Sequence, residues 1–243
     1  CSVVGTSPIR QMYGRGSSVF LPILGGGSLS PEVPFFPADV ARCLAAMPAP
    51  RLLVITPFHL RKLIEADIEL PPVAAVLSAT APLAPALAQL ASERLGCPLL
   101  EIYGSTETGQ LATRLPCVDV TWETLAGVEL RQDGDDVWAH GAVYRTPQLI
   151  NDMVELDTPT RFRLIDRKAG MVNVAGKRSS LSFLNAIITS LPGVGDAVFC
   201  VPEHVAGSDA ARLAAFVVAP GLSRAEVLAG LREHVDPVFL PRP

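Results

Sequence analysis

Between residues 51 and 103 the chain alternates short β-rich apolar runs with stretches of helical spacing, and this alternation restricts the fold more than any other feature. Residues 51–56 (Arg-Leu-Leu-Val-Ile-Thr) read as a strand ended by Pro57, residues 59–66 as a helix and 73–77 as a second strand. Residues 84–95 carry helical periodicity, Gly96 supplies the stop, and 99–103 form a third strand. Strand, helix, strand, helix, strand predicts an α/β layer on a mostly parallel sheet, whose ligands gather at the carboxyl ends of the strands. Two loops follow such ends, 78–83 and 104–109, and are expected to line one cleft.

Downstream the pattern changes. Residues 118–162 break into short alternating segments around the turn Asp133-Gly134-Asp135, which predicts a small β-subdomain. The last third mixes strands at 171–174, 197–201 and 213–218 with helices at 181–191 and 224–234, a small α+β unit. The charged stretch Asp166-Arg167-Lys168-Ala169-Gly170 is the expected boundary, where a hinge costs little. Gly25-Gly26-Gly27 reads as a turn after the apolar residues 19–24.

Bulk properties exclude several classes. A net charge of −4 offers no broad cationic surface for nucleic acid. The five cysteines are scattered without Cys-x-x-Cys spacing, which argues against a disulfide framework and a zinc knuckle, and the four histidines lack metal-ligand spacing. The most apolar window, 71–91, contains Pro71, Pro72, Pro82 and Pro85, so it reads as strand, loop and helix and not as a membrane span. No secretory signal is visible, and a soluble, cytoplasmic enzyme is expected. The missing initiator Met and the ending Phe239-Leu240-Pro241-Arg242-Pro243 read as a piece of a longer protein.

Chemistry concentrates in Leu99-Leu100-Glu101-Ile102-Tyr103-Gly104-Ser105-Thr106-Glu107-Thr108-Gly109, where an apolar strand runs into a turn of hydroxyls and one carboxylate. Hydroxyls donate to anionic oxygens, and a carboxylate suits Mg²⁺, a hard cation that prefers oxygen ligands. The stretch resembles the acidic Tyr-Gly-x-Thr-Glu motif of the AMP-forming adenylating enzymes: acyl- and aryl-CoA synthetases, peptide-synthetase adenylation domains and luciferases. A second stretch, Arg163 through Arg178, resembles the hinge motif of the same enzymes, and Arg167 is the candidate for a guanidinium bridging ribose and phosphate oxygens. Within it Gly170 to Lys177 nearly reads as a P-loop, but the spacing fails by one residue and Arg178 stands where Ser or Thr is needed.

The resemblance implies the remaining assignments. Thr106 and Glu107 are the catalytic pair, Thr106 on phosphate and Glu107 on Mg²⁺. Asp152 accepts hydrogen bonds from the ribose hydroxyls and Arg167 donates to ribose and phosphate oxygens, while Ser78, Ala79, Thr80 and Ala81, with Pro82 stiffening their loop, pass over the adenine with Tyr103. Gly104 and Ser105 complete the nucleotide site. Gln11, Tyr13, Ile102 and Gly104 border the acid, with Gln11 standing where relatives carry an aromatic or histidine gate, while an isolated tyrosine such as Tyr13 reads equally well as a core residue. Residues 1–166 then form the C-terminal portion of a large AMP-binding domain, and 167–243 a truncated, mobile small domain.

The implied reaction joins a small-molecule aryl or acyl carboxylic acid to ATP, giving an acyl-adenylate, AMP being the leaving group when a thiol takes the acyl. The thiol belongs to CoA or to the phosphopantetheine of an acyl carrier protein. The wording of 102–108, 172–180 and 239–243 is nearest the aryl-polyene and xanthomonadin-type ligases. The upstream phosphate loop and the terminal lysine of a complete catalyst are missing, and alanine stands at 169 where relatives often place an acid. A noncatalytic, degenerate nucleotide- or acyl-binding module is therefore the second reading; a serine hydrolase is remote, since no Gly-x-Ser-x-Gly elbow is present.

Overall fold

The computed structural model describes residues 1–167, 171–174, 177–202 and 213–241. The chain divides into two compact units, the first comprising Cys1–Ile150 and Glu155–Arg163, the second Asn151–Val154 and Leu164–Pro243.

The first unit is built on a nine-stranded sheet whose parallel half is β2 (Ser28–Leu29), β1 (Ser2–Gly5), β3 (Arg51–Ile55), β4 (Ala75–Ser78) and β5 (Leu99–Ser105), in that spatial order. The alternation predicted between 51 and 103 is thus realised as parallel neighbours joined by helices. Beyond β5 the sheet turns antiparallel through β6 (Gly109–Arg114) and β7 (Trp122–Thr124), which pairs with β12 (Arg161–Arg167), and β11 (Asp152–Thr158) lies outermost. A separate three-stranded antiparallel sheet, β8 (Val128–Asp133), β9 (Asp136–Gly141) and β10 (Gln148–Ile150), is narrower than the β-subdomain expected over 118–162, because β7, β11 and β12 join the large sheet instead. Gly134 turns β8 into β9 with a left-handed φ of 58°.

Strand alternation divides the parallel half into two faces. On one, Val4, Leu53, Ile55, Val76 and Leu99 pack against α3 (Pro37–Ala46), α4 (Pro57–Glu65) and α5 (Pro85–Leu95). Each helix begins with proline at its first turn, where the missing N–H has no partner to lose, and α5 ends at Gly96 with φ 62°. On the opposite face Val3, Val54 and Leu77 pack around Tyr13, which sits in α1 (Met12–Arg15). The segment continues through a π-helical stretch, Gly16–Phe20, into α2 (Leu21–Leu24), so the apolar residues 19–24 are helical and Gly25-Gly26 is the turn that follows.

The second unit carries the hairpins β13 (Met171–Val174) with β14 (Lys177–Ser180) and β15 (Asp196–Cys200) with β16 (Ala214–Val218), plus α6 (Leu181–Ser190) and α7 (Arg224–His234). Its own core contains Val172, Leu184, Ile188, Phe199, Leu231 and Phe239. Ser180 caps α6, and Ser223 with Glu226 forms a capping box on α7. Among the described residues no helix is long and apolar enough to cross a membrane, and all five cysteines are free thiols.

The joint between the two halves of the large sheet is ionic. The Glu101 side chain is 4% exposed, and Nε and Nη2 of Arg114, its partner across β5 and β6, both lie 2.7 Å from Oε2. The guanidinium stacks 4.5 Å from the centre of the Trp122 ring. Removing one member of a buried pair leaves the other charge unpaired, which costs about 3–5 kcal/mol. Arg114→Ala is therefore expected to lower the unfolding free energy by about 3 kcal/mol in urea denaturation, well beyond the effect of removing the exposed Arg42 partner of Glu32.

His59, in the first turn of α4, has Nδ1 2.8 Å from the Thr56 hydroxyl, its ring edge-on to Phe35 and Phe58, and its other nitrogen buried without a partner. Burial holds its pKa below the ordinary value of 6.5. Because the unfolded chain then binds the proton more readily, stability falls as pH drops below about 6.5 toward the folded value. The slope of unfolding midpoint against pH between 7.5 and 5.5 is expected to be shallower in His59→Asn than in the parent.

Candidate functional site

The hydroxyl-rich turn predicted after the third strand is a tight hairpin. β5 continues to Ser105, the chain turns at 106–108, and Gly109 begins β6 with φ 66°. Ser105 and Thr108 brace it from inside: the Ser105 N–H donates to Thr108 Oγ1 at 3.0 Å and the Thr108 N–H to Ser105 Oγ at 3.2 Å. Tyr144 donates its hydroxyl to the Thr108 carbonyl at 3.0 Å. Gly104 has no alternative, since a Cβ there would lie 1.9 Å from the Gly109 carbonyl oxygen.

This bracing leaves Thr106 and Glu107 exposed at the tip. The Ser105 hydroxyl and the backbone N–H of Glu107 hold its carboxyl below the usual carboxylate range, so it is ionised at neutral pH. One exposed carboxylate beside hydroxyls fits Mg²⁺, which is commonly held by one or two carboxylates plus substrate phosphates. Among the described residues no group of three or more His, Cys, Asp or Glu could hold a metal by itself.

β5 presents different chemistry on its two faces. Glu101 and Tyr103 point to the side of α3–α5; the Tyr103 ring packs 5.6 Å from both Trp122 and Phe162. The 78–83 loop leaves β4 on the same level, Ser78 being paired with Glu101. Glu101 accepts the Leu83 N–H, which ties the far end of the loop to β5; burial pushes the Glu101 pKa up against the pull of Arg114 and of this bond. Ser78 and Ala79 are buried, whereas Thr80 and Ala81 are exposed. Thr80 is held left-handed at φ 84°, a conformation costing a β-branched residue of the order of 1–3 kcal/mol.

On the other face Leu100, Ile102 and Gln110 line a cavity of about 480 Å³ with Leu52 and Leu77 from the neighbouring strands and Gly16, Ser17, Phe20, Leu21 and Leu24 from the α1–α2 segment. The structure thus brings together Ser78, Ala79, Thr80, Ala81, Ile102, Tyr103, Gly104, Ser105, Thr106 and Glu107 in the first unit, at the carboxyl ends of β4 and β5.

Of the two readings of Tyr13, the structure has the core one: the residue is 5% exposed, and its hydroxyl lies 2.6 Å from the Leu77 carbonyl oxygen and 3.2 Å from that of Ile55. It clamps the ends of β3 and β4, and burial pushes its pKa well above the usual phenol value. Gln11 is exposed ahead of α1. Asp152 opens β11 and falls in the second unit. Arg167 closes β12, and its side chain lies outside the described residues, as do Lys168, Ala169 and Gly170.

Sequence reading missed the cavity wall, although Ser17, Phe20, Leu21 and Leu24 recur at helical spacing and carry the signal. Because the site rests on a glycine that no side chain can replace, Gly104→Ala is expected to destabilise the protein by about 2 kcal/mol, the range for forcing extra atoms into a packed position. Urea unfolding of the variant checks it.

Comparison with known proteins bears on the family and the fold. The profile of the family described as AMP-binding enzyme matches residues 2–131, more than half of the 243 residues. No curated protein matches the sequence. Among solved structures, ATP-bound MatB from Rhodopseudomonas palustris superposes with a TM-score of 0.80 at 19% identity, over 99% of this chain and 55% of that one. The AMP complex of o-succinylbenzoate coenzyme A synthetase (MenE) from Bacillus subtilis gives 0.79 at 17% identity, over 99% and 56%. The amide bond synthetase McbA from Marinactinospora thermotolerans gives 0.77 at 20% identity, with the same coverage. The chain thus spans little more than half the length of these structures. It has their α/β fold, and by the profile match it belongs to the AMP-binding enzyme family.

Proposed function

We propose that the protein is an adenylate-forming ligase that joins a carboxylic acid to the α-phosphate of Mg·ATP, releases pyrophosphate, and passes the acyl group to a thiol. The observation that carries this reading is the division of labour on β5: a tyrosine and the 78–83 loop on one face, an apolar cavity on the other, and an ionised carboxylate beside hydroxyls at the tip. An acyl-adenylate has the same three parts, a flat base, an anionic phosphate and an acyl group.

In this reading the adenine lies between Tyr103 and residues 78–81, and the acid enters the cavity beside Ile102 and Gly104. Bringing carboxylate and α-phosphate together at the hairpin removes the entropy cost of their encounter. Thr106 donates to a phosphate oxygen, and Glu107 would hold Mg²⁺, which when bound would neutralise triphosphate charge. The attacking carboxylate oxygen bonds to the α-phosphorus as the bond to the bridging oxygen breaks, and pyrophosphate leaves. Asp152 and Arg167 bind the ribose. Rotation of 167–243 against 1–166 about residues 167–170 then exchanges the first half-reaction for thiol transfer, to CoA or to carrier-protein phosphopantetheine.

The acid is an aryl or medium-length acyl compound, in keeping with an apolar cavity of this size, and the aryl-polyene type of ligase is the subclass we favour. A cytoplasmic location suits such chemistry. A nucleotide- or acyl-binding module without turnover is the second reading, favoured by the exposed glutamine at position 11.

Acid-dependent exchange of labelled pyrophosphate into ATP, run on the full-length protein with a panel of aryl and fatty acids, tests the proposal. Exchange with at least one acid is expected, and Glu107→Ala should reduce it at least a hundredfold, the scale for removing one group that stabilises transition-state charge. Undiminished exchange in that variant removes the metal assignment. ATP binding without exchange for any acid selects the noncatalytic reading.

A further inference from the structure

The cavity behind β5 is apolar except at one point, where Gln110 meets Ser17. The Gln110 amide donates from Nε2 to the Ser17 hydroxyl at 2.9 Å, joining β6 to the π-helical stretch across the cavity edge. The contact is built with care for space: a Cβ on Gly16 would lie 2.8 Å from the same amide nitrogen, so the glycine admits the glutamine. Ser17 is 1% exposed and Gln110 partly buried. A π-helical stretch is uncommon, and such turns occur frequently at functional sites.

A carboxamide offers two donors and one acceptor oxygen, and the Ser17 bond uses a single donor. The remaining capacity lies along a wall otherwise formed by leucines, valine, alanine, isoleucine and phenylalanine. Filling that space with a purely apolar ligand strips water from the amide without replacing its hydrogen bonds, a desolvation cost that a matched polar group on the ligand removes. The position of the amide also matters. Gln110 is the register partner of Gly104, so it stands at the hairpin end of the cavity, whereas Leu52, Ala75 and Leu100 line it toward the start of the strands.

We infer that the cavity selects carboxylic acids whose apolar body bears one neutral hydrogen-bonding substituent, a hydroxyl or amino group, on a carbon near the carboxyl group, recognised by the Gln110 amide. This rests on the adenylation reading for which end of the ligand is the carboxylate.

Matched probes test it: benzoate and its 2-, 3- and 4-hydroxy derivatives, in titration calorimetry of the full-length protein without ATP and in pyrophosphate exchange. Binding and kcat/KM are expected to favour the 2- or 3-hydroxy acid over benzoate at least tenfold, with the 4-hydroxy acid gaining nothing, and Gln110→Leu should reverse the ratio. Equal or tighter binding of benzoate by the parent protein overturns the inference, as does a preference that survives in Gln110→Leu or the absence of binding by every acid. A hydroxyl preference in calorimetry with no exchange from any acid upholds the recognition by Gln110 and rejects adenylation, so the two failures are distinct.

Discussion

The buried pair of Glu101 and Arg114 is the fixed point of the first unit. It sits at the pairing of β5 with β6, where the parallel half of the large sheet gives way to the antiparallel half. Through Arg114 it reaches Trp122, and through its second set of contacts it reaches the backbone of Leu83. A single carboxylate therefore sets the position of β6, of β7 and of the loop that follows β4. Its desolvation is unfavourable in isolation, which is why burial raises its pKa even with a guanidinium beside it.

From that fixed point the period-two geometry of β5 does the rest. Side chains two residues apart share a face, so Leu100 and Ile102 look toward the α1–α2 segment while Glu101 and Tyr103 look toward α3–α5. A strand that ends in a hairpin brings both faces to one tip, and there Ser105 and Thr108 brace each other while Thr106 and Glu107 stay exposed. The site is thus a by-product of regular structure, with glycine required only where two backbones touch.

The parallel core was legible from residues 51 to 103 because each strand there is a short apolar run and each helix is opened by proline or closed by glycine. The tip was legible because hydroxyls and a carboxylate rarely crowd the end of an apolar strand. Tyr13 stayed open between pocket wall and core, since its partners are the carbonyls of Ile55 and Leu77, forty-two and sixty-four residues away along the chain. The Gln110 to Ser17 contact spans ninety-three residues and leaves no local pattern at all. Residues 19–24 were read only as an apolar run before a turn, although with Ser17 they carry helical spacing, because the segment is short and runs into three glycines.

Thr80 bears on how a ligand would meet this surface. A β-branched residue kept left-handed has met its conformational cost during folding, so the loop it belongs to is already in one shape before anything arrives. A ligand entering there would have little chain entropy to quench, and its affinity would draw on contact and not on moulding. Glycine at this position would relax the backbone and restore disorder to the apo loop, trading a pre-shaped surface for a more stable but less committed one.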